Sequence, residues 1–500
     1  MTTPLFLGTI ISLCVATALF FRYWRLRQIP GPILASVTNL WRFNIQYRGP
    51  ILPCLLDLHR KYGSLVRIGP NTISVSDAAY VSAIYTNKGD YVKAKKKRYM
   101  QADSYEPMRV FVNGQSVGSI VDMQDEEQHR ALKRSVGGAF TNKSLQEYEP
   151  DVDMILENLL ARIGKKSTFV LHDVLQWFQL DFLMKIAFTE SPGHLQHGAD
   201  VYGLSKLTAQ RIAHWYTWQS LPQLERFIYR NSVWGRFLAR PSKWAKMSKE
   251  RFNARVATTH DRQEIERRDL LQKCIDYSEK YPDVLKPQTI TSVVNSIISA
   301  GTDTTSGAMT TMLYFLLKSP SCYKSLMDEL DDAQKSGKLS IPPRYTEVSR
   351  LPYLDAVLRE ALRLNPALAI PMERIVPSSG CSINGTFIPG GTVIGCLAMA
   401  IHMDQTCFGK DPELFQPERW LNRSDAERSA MERGFLGWSA GSRACLGRQI
   451  AELEIKKVIP TLLLKYNISL DNPEQTLQFV NGVLEYGSNP ISVTFNTKTQ

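Results

Sequence analysis

No charged side chain occurs before Arg22, no Cys-x-x-Cys pair occurs anywhere, and no serine-, glycine- or proline-rich linker divides the chain after its N-terminal segment. Each absence excludes something. The eight cysteines, at 14, 54, 274, 322, 381, 396, 407 and 445, form no compact framework, which argues against a disulfide-stapled scaffold and for a reducing compartment. Without a linker, internal repeat or low-complexity stretch, the 500 residues, 44% of them hydrophobic, read as one large domain with a large core. The formal net charge is +12, but lysine and arginine are spread along the chain and no nucleic-acid motif accompanies them. No nucleic-acid partner is expected, and the excess reads as membrane and partner electrostatics.

The missing charges at the N-terminus leave an apolar run over 4–21, 18 residues, which just reaches the length of a membrane-spanning helix. Arg22, Arg25 and Arg27 follow at once, with Tyr23 and Trp24 placed for the headgroup layer, so the bulk of the chain is expected in the cytosol. A cleaved signal peptide is the rival reading, but it would carry its charges before the apolar run and a small-residue cleavage site after it, and neither is present. Pro30-Gly31-Pro32 then turns the chain out of the anchor like a hinge. The expected organisation is an anchor and basic flank over 1–29 and one catalytic domain over 30–500.

Most of 77–365 has helical periodicity, including 146–163, 170–188, 289–317, 321–334 and 353–364. Residues 63–76 alternate about a Gly-Pro-Asn turn and read as a β-hairpin; an Asn384-Gly385 turn between apolar positions marks a second small sheet. The fold class expected is mainly α with small β-sheets, preceded by one transmembrane helix.

The chemistry-bearing stretch is Trp438-Ser-Ala-Gly441-Ser-Arg443-Ala-Cys445-Leu-Gly447, a lone cysteine in a glycine-punctuated loop entering a helical pattern. A sulfur at a helix N-terminus meets unpaired N–H groups and the positive end of the dipole, which favour the thiolate a metal needs. Gly441 and Gly447 permit a tight turn and close approach to a flat ligand, while Arg443 is a cation suited to a carboxylate. Haem offers iron and carboxylates together. A buried core thiol is the plain alternative.

This loop resembles the Phe-x-x-Gly-x-Arg-x-Cys-x-Gly signature of the cytochromes P-450, the haem-thiolate monooxygenases, at every fixed position but the first, where Trp438 replaces phenylalanine. The larger indole, with its N–H, could alter hydrogen bonding around the sulfur. Three further stretches resemble the family's motifs in order. Ser299-Ala-Gly301-Thr-Asp303-Thr304-Thr, mid-way along a long apolar helix, resembles its oxygen-activation segment; the resemblance implies that Gly301 makes room, Asp303 relays protons and Thr304 steadies the activated oxygen. Glu360 and Arg363, one turn apart, with Arg419 in Pro417-Glu-Arg-Trp, resemble its buried structural ion network. The run from Asp125 through His129, Arg130 and Lys133, together with Arg374, resembles its two sets of haem-propionate partners, with Lys133 where arginine is common.

The resemblance, which covers essentially the whole chain, implies a cytochrome P-450 fold, haem b ligated by Cys445, and electrons from NADPH through NADPH-cytochrome P-450 reductase, with cytochrome b5 as an optional second donor. It implies an apolar small-molecule substrate and the endoplasmic-reticulum membrane as location. A basic surface of Arg130, Lys133, Arg134 and Arg448 would receive the acidic reductase. Pocket residues are expected from 100–120, 205–225, 366–372 and 484–490, and a second membrane contact from 226–247. The hairpin over 68–75 and the Asp-Glu-Glu-x-His run are most similar to fungal secondary-metabolism members. Two rivals are a haem-thiolate isomerase or dehydratase that uses no reductase, which the intact Asp303-Thr304 pair disfavours, and a haem-binding membrane protein without turnover.

Overall fold

A computed structural model describes residues 2–85, 100–112, 115–230, 243–258, 269–477 and 490–498. It is mainly helical with small sheets. The helices that position the site are α1 (Thr2–Arg25), α2 (Glu126–Val136), α3 (Asn142–Lys165), α4 (Leu171–Phe188), α5 (Leu204–Trp218), α6 (Pro222–Tyr229), α7 (Pro287–Lys318), α8 (Pro320–Lys335), α9 (Pro352–Leu364) and α10 (Arg448–Lys465). The five helical stretches expected from periodicity correspond to α3, α4, α7, α8 and α9.

The physical reasons are local. Asp125 caps α2, its carboxylate accepting the N–H groups of Glu127 (2.9 Å) and Gln128 (2.8 Å), and Glu126 and Glu127 sit at the positive end of its dipole. Proline opens α6, α7, α8 and α9 at the first turn, where its missing N–H costs nothing. Helices α4 and α10 are mostly buried, packed with the middle of α7 in the main core through Phe178, Leu183, Met309, Leu313, Leu453 and Ile459.

The strands include β1 (Leu65–Gly69), β2 (Thr72–Val75), β3 (Met100–Gln101), β4 (Thr168–Val170), β5 (Arg374–Ile375), β6 (Cys381–Ile383), β7 (Thr386–Ile388), β8 (Val393–Cys396), β9 (Tyr466–Leu470) and β10 (Ser492–Thr497). Strands β1 and β2 form the expected hairpin, Leu65 opposite Val75. They join a five-stranded sheet in the order β1-β2-β8-β5-β3, in which β8 runs parallel to β2, with Ile394 opposite Ile73. The sheet β9-β10-β4, the hairpin β6-β7 and a further antiparallel pair, Val110–Val112 with Gln115–Val117, complete the set among the described residues. Gly385 at the β6-β7 turn has φ 74°, and Asn384 before it φ 49°, the left-handed pair an Asn-Gly turn demands.

The transmembrane anchor is not shown. The apolar run lies in α1, but among the described residues no helix is long and apolar enough to cross a membrane. Nor is 30–32 a free hinge. Leu26 and Ile29 are buried against the sheet, and the fully buried Arg67 donates to the carbonyls of Tyr23 (2.9 Å), Ser36 (3.1 Å) and Pro70 (2.7 Å), so one guanidinium ties the end of α1 to β1. Gly31 passes so close that a Cβ there would lie 2.2 Å from the Arg67 carbonyl oxygen.

Candidate haem-thiolate site

The cysteine loop is bent by Ser439 (φ 59°) and Gly441 (φ 70°), both left-handed, and closed by the Cys445 N–H donating to the Trp438 carbonyl at 2.9 Å. Gly447 differs from expectation: its φ of −83° needs no glycine, but nothing lies within 4 Å of where its Cβ would be, so its bareness leaves open space. Cys445 and Cys14 are the exposed members of eight free cysteines. Although the Cys445 side chain is exposed, the protein around it is dense enough that burial pushes the thiol up; the N–H groups of Gly447 and Arg448 and the charge of Lys133 oppose that rise. The helix-terminus donors anticipated from sequence are therefore in place, outweighed by desolvation. The Trp438 indole lies under the Arg448 guanidinium, 5.8 Å away.

Lys133 faces the cysteine loop. Its ammonium donates to the carbonyls of Ser442 (2.9 Å) and Ala444 (3.1 Å), pinning the cysteine loop to α2. A carboxylate partner is not needed to explain its position, and it is a clamp rather than a member of a free basic surface. Arg448 is paired with Glu452 at 2.8 Å, whereas Arg134 is exposed.

One turn from Lys133, His129 is buried. Its imidazole is held down to about 3, first by burial and then by Arg443, Lys133, Arg374 and Arg130. Four cations thus bear on one neutral histidine. Arg443 pairs with Glu126 at 2.7 Å and donates to the Met123 carbonyl at 2.7 Å; Arg374 is buried over the Tyr85 ring, 5.0 Å away, and donates to the Glu373 carbonyl at 2.9 Å. Among the described residues Glu126 pairs with Arg443, and the gathered cations suit a ligand that carries two carboxylates. Glu126, Tyr85 and Tyr105, which hydrogen-bonds Arg374, were not picked out by sequence. Glu126 lay in the quoted acidic run, and nothing local marks the two tyrosines.

Above the loop in the motif order comes the middle of α7. Ala300 and Thr304, four residues apart, are exposed within a helix whose other faces are buried, so this face fronts open space. The Thr304 hydroxyl donates to the Ala300 carbonyl at 2.7 Å, and Thr302, Ser306 and Thr310 bond four residues back likewise. Asp303 points another way: its carboxylate accepts from Gln176 of α4 at 2.7 Å. Burial pushes the Asp303 carboxyl up to about 6, the Gln176 hydrogen bond opposing and Asp200 adding. Gly301 lies against α4. A Cβ there would meet Leu183 of α4 at 3.0 Å, so its room is taken by helix packing.

Glu360, Arg363 and Arg419 meet in a fully buried cluster. Arg363 grips both Glu360 oxygens (2.7 and 2.8 Å), and Arg419 (2.8 Å), the Trp420 indole (2.9 Å) and the Gln416 N–H (3.0 Å) also donate to the carboxylate. Arg363 also donates to the carbonyls of His402 (2.7 Å) and Pro412 (2.6 Å), tying α9 to the segment before the cysteine loop. Losing one member would strand buried charge at a cost of roughly 3–5 kcal/mol.

A model of the family described as Cytochrome P450, here written cytochrome P-450, matches residues 30–495. The chain belongs to the cytochrome P-450 family. The cytochrome P-450 monooxygenase cicH of Emericella nidulans is 33% identical over 94% of each chain. A cytochrome P-450 monooxygenase of Aspergillus terreus is 34% identical over 89% of this chain and 91% of its own. In the mpaDE monooxygenase of Penicillium brevicompactum, 32% identical over 90% of this chain, the match spans 53% of a longer protein. Membership makes the chain an oxidoreductase of the monooxygenase type and implies a haem-thiolate cofactor. The residues fit one: an exposed sulfur beneath two helix-terminal N–H groups, an open glycine, and a group of cations beside them.

Among segments anticipated as membrane contact, Phe227 of α6 is 75% exposed, but Trp244 is buried against Phe188, ring centroids 6.5 Å apart, and belongs to the core. Residues 231–242, with Trp234, Arg236, Phe237 and Arg240, lie outside the described residues, as do most of the pocket positions 484–490.

Proposed function

We propose that this cytochrome P-450 is a membrane-anchored monooxygenase that places one oxygen atom from dioxygen into an apolar small molecule, an intermediate of fungal secondary metabolism, with electrons from NADPH through a reductase. The observation that carries the site assignment is the gathering of Arg374, Arg443, Lys133 and Arg130 about the neutral His129, next to the loop that presents Cys445. Haem bound there supplies the redox chemistry that activates dioxygen. Cys445 would be its thiolate ligand, held by the Lys133 clamp. Arg374 and Arg443 would pair its carboxylates and His129 would donate to them as a neutral imidazole. Thr304, on the open face of α7, has a hydroxyl that can leave the Ala300 carbonyl and donate outward; Asp303, titrating near neutrality, can take up and release a proton.

The anchor reading rests on the uncharged run 4–21 and the arginines behind it, and places the catalytic part on the cytosolic side of the endoplasmic reticulum. Exposed Ile33, Leu34, Leu40, Tyr47 and Phe227 offer it further apolar contact with lipid.

Two variants test the reading. Reduced protein under carbon monoxide is expected to show the strongly red-shifted band of thiolate ligation, lost in Cys445→Ala; a band retained in that variant moves the ligand elsewhere. With reductase and NADPH, Thr304→Ala is expected to keep consuming NADPH while releasing a larger share of hydrogen peroxide and less oxygenated product. Reductase-independent conversion by the unaltered protein would remove the monooxygenase reading altogether.

A further inference from the structure

Asp303 and Thr304 are neighbours in sequence, and on a helix neighbours point about 100° apart. The hydroxyl lies on the open face with Ala300, while the carboxylate is turned onto α4, where Gln176 donates to it at 2.7 Å. We propose that Gln176 is a positioning residue for proton delivery: its side-chain amide latches the Asp303 carboxylate against α4, and Asp303 serves the Thr304 side only when that hydrogen bond opens. This rests on the proton-carrying role given to Asp303 above.

The same amide nitrogen lies 3.4 Å from Nε2 of His172, one turn back on α4. An amide N–H can only donate, so Nε2 accepts and the imidazole proton is assigned to Nδ1. His172 is buried and held neutral, down to about 3. Gln176 therefore joins Asp303 to a neutral imidazole through an amide that does not titrate. It holds a carboxylate and does not conduct a proton. Two other carboxyls bear on the region. Asp200, ahead of α5, raises Asp303; Glu454 of α10, buried and pushed far up, meets Gln179 one turn further along α4. Asp200 offers no donor to replace Gln176: its carboxylate accepts the N–H groups of Leu204 (3.0 Å) and Ser205 (2.8 Å). A polar side chain in this largely buried helix is costly unless bonded, and the Asp303 contact gives Gln176 its reason to be there.

The test uses the haem-loaded full chain with reductase, and 7-ethoxycoumarin as an apolar probe. The infrared band of protonated Asp303, assigned by its loss in Asp303→Asn, is titrated in the unaltered protein and in Gln176→Leu. Removing a hydrogen bond to the ionised form makes that form less favourable, so the titration midpoint is expected to move to higher pH in the variant. The pH at which oxygenated product per NADPH falls by half is expected to move with it. In an Asp303→Asn background Gln176→Leu is expected to add nothing. Retention of the thiolate-type carbon monoxide band shows each variant folded; if Gln176→Leu loses it, Gln176→Met carries the same comparison. An unmoved midpoint, or an equal effect in the Asp303→Asn background, overturns the latch. Unchanged coupling in Asp303→Asn alone overturns the role of Asp303 instead.

Discussion

Lys133 is the side chain on which the cysteine loop most visibly depends. Two carbonyls two residues apart, those of Ser442 and Ala444, converge on one ammonium, and both belong to the turn that aims Cys445. Burial lowers Lys133, while the nearness of the Cys445 sulfur supports its charge. Without the ammonium the carbonyls lose their shared donor at about 1–3 kcal/mol, and the loop is freed next to the ligand. Lys133→Met is therefore expected to retain less haem on gel filtration and to shift part of the carbon monoxide band from the thiolate to the thiol position. Lys133→Arg, which keeps a donor on the same helix face, is expected to retain more. Full haem content and an unshifted band in Lys133→Met would reduce the contact to a surface accident. Local sequence marked Lys133 as basic and near haem, but whether it would face a propionate or the loop depends on a turn more than three hundred residues away in the chain, and no local pattern encodes that.

At the scale of elements, α7 shows how a helix tolerates poor helix formers. Its threonines and serines bond their own carbonyls four residues back, so they occupy themselves in a buried setting, and its glycine lets α4 approach. Leu183 stands 3.0 Å from an added Cβ at Gly301, tighter than ordinary contact but against the movable end of a leucine. Gly301→Val is expected to overpack the α4–α7 contact and cost about 1–3 kcal/mol in denaturant unfolding. Leu183→Ala in the same chain should recover part of that loss, since the two sites couple directly. Additive losses would show that Gly301 serves something other than this contact. The long helices were legible because a period near 3.6 persists over many turns, and the β1-β2 and β6-β7 hairpins because their turns are local. The parallel pairing of β8 with β2 was not, because register between strands far apart in sequence is set by the packed sheet. The same division holds in the site: Cys445, and Glu360 with Arg363, are marked by short spacings, whereas Gln176, Glu126 and Tyr85 become partners only when separate elements meet. Trp244 reads as interfacial from its basic neighbours, yet its ring finds Phe188.

For the whole molecule, the proposed anchor raises the question of which side of a membrane the catalytic part would face. The uncharged run 4–21 ends at Arg22, and the charges follow it, which favours a cytosolic catalytic part. The fold then provides four reporters. The Asn-x-Ser/Thr sequons at Asn142, Asn384, Asn422 and Asn467 lie on α3, at the β6-β7 turn, after the Arg419 segment and on β9, and all four asparagines are exposed. Burial therefore cannot be what protects them. In the lumen at least one is expected to carry a glycan; in the cytosol none can, because the transferase never meets them. Expressed as the full chain in a glycosylating fungal host, the membrane-bound protein is expected to have the unmodified intact mass and to be unmoved by endoglycosidase. A sequon added ahead of residue 4, on the far side of the run, is expected to be modified and so to show that the machinery had access. Glycan on any of the four natural sites would reverse the orientation, and with it the cytosolic reductase. Because Arg67 ties the end of α1 to β1, that reversal could not be confined to a loose tail: the catalytic part would turn with the helix it is bonded to.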